Sequence, residues 1–586
     1  MASPLLQLHR IANSSAWRVL PNRWDFVAFP LIVGLLAMAA VGWHASMAPM
    51  SALQNEVISL DPANLPEYAL RTTLRMLAAM VASLAFTLAY GTLAAKSRRA
   101  GMLLVPMLDI LQSVPVLGFI SFTVTFFLAL FPSRVFGAEL AAIFAIFTSQ
   151  AWNMTFSFYQ SLRTVPRDLD EVSRGFHLTG WQRFWKLEVP FAMPGLVWNM
   201  MMSMSGGWFF VVASEAITVG DHTITLPGIG AYLAQAIAEE NLGAVGWVIL
   251  TMIVVILIYD QLLFRPLVAW ADKFRMENTS SGDAPQSWLL DLIRRTRLIH
   301  RLLAPVGGLL ARAARVPLAL PLPRRLLANV TGTRRAVPSR VGDAVFGALV
   351  IAFMLYVVWR VAGFVRAEVT LGEVGHVFGL GFITLLRVAV LIAIASAVWV
   401  PLGVLIGLRP ALAEKIQPLA QFLAAFPANL MFPVFVFVIA HFGLNADIWL
   451  SPLIVLGTQW YILFNVIAGA SAYPNDYREA AASFHIRGWQ WWRQVMLPGI
   501  FPYYITGAIT ASGGAWNASI VSEFVQWGDT KIAAHGLGAY IAQTTAAGDY
   551  PKIILGIAVM SLFVTLFNRL LWRPLYAYAE GRLRAD

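Results

Sequence analysis

A twelve-residue pattern in this chain is written twice. Glu171-Val172-Ser173-Arg174-Gly175-Phe176-His177-Leu178-Thr179-Gly180-Trp181-Gln182 returns as Glu479-Ala480-Ala481-Ala482-Ser483-Phe484-His485-Ile486-Arg487-Gly488-Trp489-Gln490, an offset of 479 − 171 = 308. The same offset pairs Pro166 with Pro474, Pro190 with Pro498, Pro194 with Pro502, Trp208 with Trp516 and Glu215 with Glu523. It also pairs Arg265-Pro266-Leu267 with Arg573-Pro574-Leu575, and Gly228-Ile229-Gly230-Ala231-Tyr232 with Gly536-Leu537-Gly538-Ala539-Tyr540. A gap-free match from Trp152 to Leu267 is a duplicated domain, and two like sequences fold as two like units.

The repeated unit is composed for lipid. Apolar residues make up 58% of the chain and charged residues 12%, against about 25% charged in a soluble protein. Mean hydropathy is +0.67. There is no cysteine, which excludes disulfides and cysteine metal sites, and no metal site is expected. A net charge of +11 would suit nucleic acid, but the basic residues fall between apolar stretches, so membrane lipid is the expected surrounding and no nucleic acid is.

A membrane span takes roughly 20 apolar residues. Stretches that qualify are 26–47, 69–95, 102–131, 138–162, 190–218 and 244–267 in the first half, and 345–368, 381–408, 416–440, 446–472, 498–525 and 554–575 in the second. The expected fold is all-α and integral to the membrane, with about twelve transmembrane helices. An even number per half makes the six-helix repeats parallel, related by a pseudo-two-fold axis. Lys96, Arg98 and Arg99, then Arg163, Arg167, Arg174, Arg183 and Lys186, then the arginine-rich segment after residue 272 occupy alternate loops. The intervening loops carry Glu56, Asp61 and Glu67, then Asp221, Glu239 and Glu240. The basic loops and both termini are therefore expected in the cytoplasm. His9, Arg10, Arg18 and Arg23 without a compact apolar core suit a tail better than a signal peptide.

The expected division is a cytoplasmic tail at 1–25, a first transmembrane domain at 26–272, a basic linker at 273–340, a second transmembrane domain at 341–578 and a tail at 579–586. Upstream of the main match, Thr72-Thr73-Leu74-Arg75 resembles Thr384-Leu385-Leu386-Arg387, and Pro115 resembles Pro427, both at an offset of 312. The change from 312 to 308 belongs in a loop, the one after the third span of each half. Within the linker, apolar pieces such as 302–310 are interrupted by Arg312, Arg315 and Pro317. They suit an interfacial amphipathic helix or a plain tether, not a span.

The duplicated loop carries the chemistry. Pro166 and Pro474 suit the first turn of a helix, and Asp168, Asp170 and Glu171, with Asp476 and Glu479, favour its positive end. Leu169, Val172 and Phe176 share one face, as do Tyr477, Ala480 and Phe484. Gly180 and Gly488 are expected to stop the helix in a left-handed conformation. Trp181 and Trp489 suit the membrane interface, and Pro190 and Pro498 are expected to open the next span. A helix that merely stabilised its loop would not need the same Glu, Gly, Trp, Gln and Pro spacing in both copies, so docking of a soluble partner is the expectation.

The pattern resembles the EAA loop of permease subunits of ATP-binding-cassette importers, Glu-Ala-Ala followed by glycine and then Leu-Pro. The second copy reads Glu479-Ala480-Ala481 and ends Leu497-Pro498; the first reads Glu171-Val172-Ser173 and ends Val189-Pro190. Gly-Trp-Gln, with Trp208…Ser214-Glu215 and Trp516…Ser522-Glu523, resembles the branch that handles nitrate, sulfonates, taurine or bicarbonate. The resemblance covers both halves but not the linker. It implies the type I importer permease fold, coupling helices seated on two copies of an ATPase subunit, and a periplasmic or lipoprotein substrate-binding protein. It also implies a bacterial inner-membrane location and import of a small anion. ATP and Mg²⁺ would be used by the ATPase, with no cofactor on this chain. His177 and His485 stand where the family has glycine, and Gly180 and Gly488 are expected to take over the turn. A packing role for these histidines is preferred to pH sensing.

For the path or its gate, the residues singled out are Trp208, Ser214, Glu215, Trp516, Asn517, Ser522 and Glu523. Acidic groups near a span are costly and often functional, although a solvated helix end would also accommodate Glu215 and Glu523. Two bare carboxylates would repel an anion, which favours a structural or gating role. Gly206-Gly207 and Ser512-Gly513-Gly514 allow close helix packing, and Gly228–Tyr232 and Gly536–Tyr540 suit short outer helices beneath the binding protein. None of the six lysines follows a glycine, so the chain has no P-loop and is not expected to be an enzyme. The rivals are a secondary transporter with parallel repeats, for which Arg75 and Arg387 are the best sign, and a membrane enzyme, which the nine scattered histidines do not support.

Overall fold

The structure, a computed structural model, describes residues 58–132, 134–219, 222–274, 287–296, 298–316, 340–473 and 475–582, with isolated positions before residue 58. Apart from those positions, the expected span 26–47 lies outside the described residues, as does Pro474. The first half runs through α1 Leu65–Lys96, α2 Arg98–Ser113, α3 Ile120–Leu130, α4 Val135–Arg163, α5 Arg167–Gly175 and α6 Gly180–Ser214. A hairpin of β1 Ala216–Val219 and β2 His222–Thr225 leads to α7 Ile229–Ala238 and α8 Leu242–Phe274. Two linker helices follow, α9 Trp288–Arg295 and α10 Leu298–Arg315. The second half contains α11 Arg340–Glu368, α12 Leu371–Gly407, α13 Pro410–Ala425, α14 Phe432–Phe442, α15 Ala446–Leu456 and α16 Trp460–Ser471. It continues with α17 Asn475–Ser483, a helical turn Gly488–Trp491 and π turn Trp492–Met496 that run without a break into α18 Leu497–Ser522, the hairpin β3 Phe524–Trp527 and β4 Thr530–Ala533, α19 Leu537–Ala547 and α20 Tyr550–Ala579.

Among the described residues, seven helices are long and apolar enough to cross a membrane, or nine if two bent pairs count as spans. These nine coincide with nine of the twelve expected spans. The expected span 102–131 is instead two shorter helices, α2 and α3, parted at Pro115. The span 416–440 breaks at the matching Pro427, where the chain turns by 73°. A proline drives the residue before it out of the helical region, and Phe426 is accordingly extended, with φ −70° and ψ 126°. The span 446–472 bends by 45° between α15 and α16. Expected span 498–525 is α18, which is rich in Gly, Ser and Thr and so less apolar, but its 26 residues reach about 39 Å at a helical rise of about 1.5 Å.

The four-residue length difference falls in a loop. Leu130 and Phe442 end α3 and α14 at 442 − 130 = 312, whereas Glu139 and Asp447 stand at 447 − 139 = 308. The connection from α3 to α4 is therefore the longer one. Pro190 and Pro498 do not open spans. Each lies inside a continuous helical segment just after a wide π turn, Phe184–Glu188 or Trp492–Met496. Pro266 and Pro574 follow the π turns Asp260–Phe264 and Asn568–Trp572 in the same way. Proline lacks the N–H and crowds the carbonyl four residues back; widening the preceding turn relieves both problems without ending the helix.

The halves share their core. Ala428, Leu430 and Phe432 of the second half pack in one cluster with Met204, Trp208 and Val212 of α6, while Val116, Leu117 and Ile120 of the first half pack with Trp516 and Ile520 of α18. Within the halves, glycines set the helix spacing. A Cβ on Gly403 of α12 would come within 2.8 Å of Val466, and one on Gly407 within 2.7 Å of the Ile467 carbonyl. Gly91 of α1, at 403 − 91 = 312, meets Phe158 at 2.8 Å in the same way. In lipid, where helices gain little from apolar burial, such close approach is what joins them. Gly403→Ile should therefore destabilise the chain by about 1–3 kcal/mol, seen as a lower unfolding temperature in detergent, with Gly375→Ala, which meets open space, as the neutral control.

Candidate docking loops and buried carboxylates

α5 begins after Pro166, whose φ of −56° and ψ of 141° place it at the cap, one position before the first turn, and Asp168 and Asp170 lie in that turn. The helix then stops by a backbone motif. The Phe176 N–H donates to the Val172 carbonyl, that of His177 to Arg174 at 2.9 Å, and that of Leu178 to Ser173 at 3.2 Å. His177 has φ +51°. In the second copy the His485 N–H donates to Ala482 at 3.1 Å and that of Ile486 to Ala481 at 2.9 Å, with His485 at φ +54°. These histidines are themselves the left-handed residues, so the glycines three positions later do not take over the turn. Gly180 instead starts α6 inside a capping box, in which Thr179 Oγ accepts from the Gln182 N–H and Gln182 Oε1 accepts from the Thr179 N–H. Arg487 replaces Thr179 and offers no acceptor; there Gly488 adopts φ +59° at the start of the following helix.

The loop turns matching positions inward and outward in both halves. Ser173 and Ala481 are turned inward at 5% exposure, while Phe176 is 75% and Phe484 79% exposed. Val172 and Tyr477 are exposed beside them, as are Glu171, Glu479 and Ala480. The footings of the two loops differ. Under the first, Lys96 pairs with Glu188 at 2.6 Å, Arg183 bridges Glu188 and Asp170, and Arg174 pairs with Asp170 at 2.7 Å. At the matching positions the second copy has Met496, Trp491 and Arg478, with Met496 fully buried. Among the described residues, the hydrogen bonds from linker helix α10 to a docking loop go to the first: Trp181 Nε1 donates to the Ala313 carbonyl at 2.7 Å and Gln182 Nε2 to that of Arg315 at 2.8 Å. Its counterpart Trp489 is 73% exposed.

At the opposite, hairpin face, Glu215 and Glu523 are sealed from solvent. Glu215 accepts from Thr72 Oγ1, Arg75 Nη1 and the Gly230 N–H, each at 2.7 Å. Arg75 also grips both oxygens of Glu139, at 2.6 and 2.7 Å, and donates to the Pro227 carbonyl at 2.9 Å. Glu523 accepts from Thr384 at 3.1 Å, Arg387 at 2.5 Å, and the N–H groups of Gly538 and Ala539 at 2.8 and 3.2 Å. Arg387 reaches the His535 carbonyl at 3.1 Å and Asp447 at 3.5 Å. Asp447 also accepts from the His535 N–H at 2.6 Å and lies 3.0 Å from its ring nitrogen. The solvated helix end considered for these glutamates is thus ruled out, and Arg75 and Arg387 are their structural partners. A Cβ on Gly228 or Gly536 would collide with the Glu215 or Glu523 carboxylate. Sequence reasoning missed Glu139 and Asp447, although the 308-residue offset relates them.

The other path candidates are dispersed. Trp208 and Trp516 are 1% exposed and belong to the packed core, so they line no path in this conformation. Ser214 and Ser522 are also buried; the Ser214 hydroxyl is used by the Val211 carbonyl. Asn517 crosses between halves, its Oδ1 accepting from the Val116 N–H at 2.7 Å, while Asn429 Nδ2 donates to Phe209 O at 3.1 Å in the reverse direction. Between the halves lies a cavity of about 440 Å³. Its wall is built of related pairs, among them Leu117 with Asn429, Ile120 with Phe432 and Ile237 with Thr545, and none of its lining residues is charged.

Two segments, residues 62–265 and 399–571, match the family described as binding-protein-dependent transport system inner membrane component. The chain belongs to this family. The permease domain is present twice, once in each half. The chain resembles the nitrate import permease protein NrtB of Synechocystis sp., at 26% identity over 33% of this chain and 67% of that protein. It also resembles the bicarbonate transport system permease protein CmpB of Synechococcus elongatus, at 27% over 32% and 64%. The glycine betaine/proline betaine permease ProW of Escherichia coli matches at 28% over 39% and 62%. The chain thus spans about two thirds of the length of these curated relatives.

Two outcomes test this geometry. His177→Gly with His485→Gly should keep the permease folded, whereas valine at both sites should destabilise it by about 1–2 kcal/mol per site, because a β-branched residue resists the left-handed region. Arg387→Met should cost about 3–5 kcal/mol by stranding the Glu523 charge, and adding Glu523→Gln should recover part of that loss. Unfolding temperatures of the four variants in detergent measure both.

Proposed function

We propose that the chain forms the translocation path of an ATP-driven, binding-protein-dependent importer and docks two ATPase subunits through α5 and α17. The observation that carries this reading is the pair of exposed phenylalanines, Phe176 and Phe484, each held one residue before a left-handed histidine at the end of a short helix. Large apolar side chains displayed at matching positions suit a partner's groove. ATP and Mg²⁺ belong to the ATPase. The basic loops support a bacterial inner-membrane protein with α5, α17 and both termini on the cytoplasmic side. A periplasmic or lipoprotein binding protein then meets the hairpin face, where α7 and α19 lie beneath it.

The nitrate and bicarbonate permeases among its relatives support a small anion as solute. Glu215 and Glu523 do not oppose this: arginines neutralise them and neither lines the cavity. Their role is to fasten the hairpin face. A secondary transporter loses its main support, since Arg75 and Arg387 are engaged there. Purified chain should hydrolyse no ATP alone and should support hydrolysis when reconstituted with its ATPase. Glu171→Lys with Glu479→Lys should abolish solute-stimulated hydrolysis in proteoliposomes while leaving the unfolding temperature unchanged. Unaltered stimulation would refute docking at these helices.

A further inference from the structure

The linker between the halves is not a plain tether. α9 is fixed to the end of α8: Leu289 and Leu292 are buried beside Leu262, and Trp288 Nε1 donates to Gln261 at 3.3 Å. α10 then extends to the start of α6, where Trp181 and Gln182 hold its last carbonyls. Both anchors lie within about two turns of the charged ends of spans, the ring of Lys96, Glu188 and Arg183 on one side and Asp260 with Arg265 on the other. At about 5.4 Å per turn, that is the depth of lipid headgroups. α10 therefore lies along the bilayer surface at the face carrying the docking loops.

Little protein covers it. From Ala304 to Val316 the described residues are exposed except Ala314, which is half-buried; Leu309 is 64% exposed. By sequence spacing, Leu302, Val306 and Leu310 share one face, and Arg301, Arg312 and Arg315 fall on the other. Between 298 and 315 there is no acidic residue, and among the described residues Arg312 and Arg315 form no ion pair. An apolar face backed by unopposed arginines, held at headgroup depth, is complementary to an anionic bilayer surface.

We infer that α10 is an anionic-lipid-binding helix that ties the first docking loop, and not the second, to the membrane surface. The chain has no cysteine, so Leu309→Cys and Ala311→Cys each introduce a single thiol for a nitroxide label, on nearly opposite sides of the helix. The full chain is reconstituted in vesicles of phosphatidylcholine alone or mixed with phosphatidylglycerol. In the mixed vesicles the Leu309 label should be shielded from an aqueous nickel chelate and reached by oxygen, while the Ala311 label stays accessible to the chelate. Each arginine near an anionic surface contributes about a fivefold shift in the bound population. Arg312→Gln with Arg315→Gln, raised salt, or phosphatidylcholine alone should therefore return the Leu309 label to water. Equal chelate access at both sites in mixed vesicles would overturn the inference, as would equal shielding with and without phosphatidylglycerol. Shielding that appears only when the ATPase is added would assign the face to that protein instead.

Discussion

A carboxylate sealed at the end of a membrane helix has to be neutralised where it lies, because removing an ionised group from water without a partner costs more than a fold can supply. Glu215 and Glu523 are in that position, and the hairpin face is arranged around them. Each takes an arginine and a threonine from α1 or its counterpart α12 and a glycine N–H from the helix after the hairpin. The threonine oxygen is shared, since the N–H of Ile229 or Leu537 also donates to it at 2.9 Å. Three separate elements are thereby fixed to one carboxylate. The Gly-x-Gly-Ala-Tyr repeat follows from this: its first glycine leaves room for the carboxylate and its second lets the N–H approach.

What was legible in the sequence follows from range. The duplication and most spans were readable because composition and spacing are local, and α5 and α17 because their apolar positions recur at three and four. The Arg75–Glu215 pair joins positions 140 apart and lies across the change of offset, so neither residue announced the other. Composition alone also overstated two prolines. Pro190 and Pro498 read as helix openers, yet a π turn absorbs each without a break. The left-handed turn was assigned to the wrong residue because glycine is the usual signal, whereas the backbone bonds from Leu178 and Ile486 fix φ at the histidines whatever their side chains prefer.

That distinction explains why the two candidate docking loops can keep one shape on different footings. The helix stop is made by main-chain groups, so Glu188 can become Met496 and Arg183 can become Trp491 without disturbing it. Under the first loop an ion ring and the end of α10 hold the base; under the second, buried Met496 and half-buried Trp491 stand where Glu188 and Arg183 were. Main-chain geometry preserves the helix stop and the exposed phenylalanine beside it, while the side chains beneath are free to diverge.

The cavity between the halves obeys the same economy. Its wall repeats in part across the pseudo-two-fold axis, and its polar side chains Asn429, Gln526 and Thr545 all come from the second half, with Leu117 and Ile237 of the first half opposite Asn429 and Thr545. No charged residue faces it. A small anion there would meet amide and hydroxyl groups but no cation to hold it. The chamber therefore serves passage better than storage, and on the proposed reading the choice among solutes falls to the binding protein that delivers them.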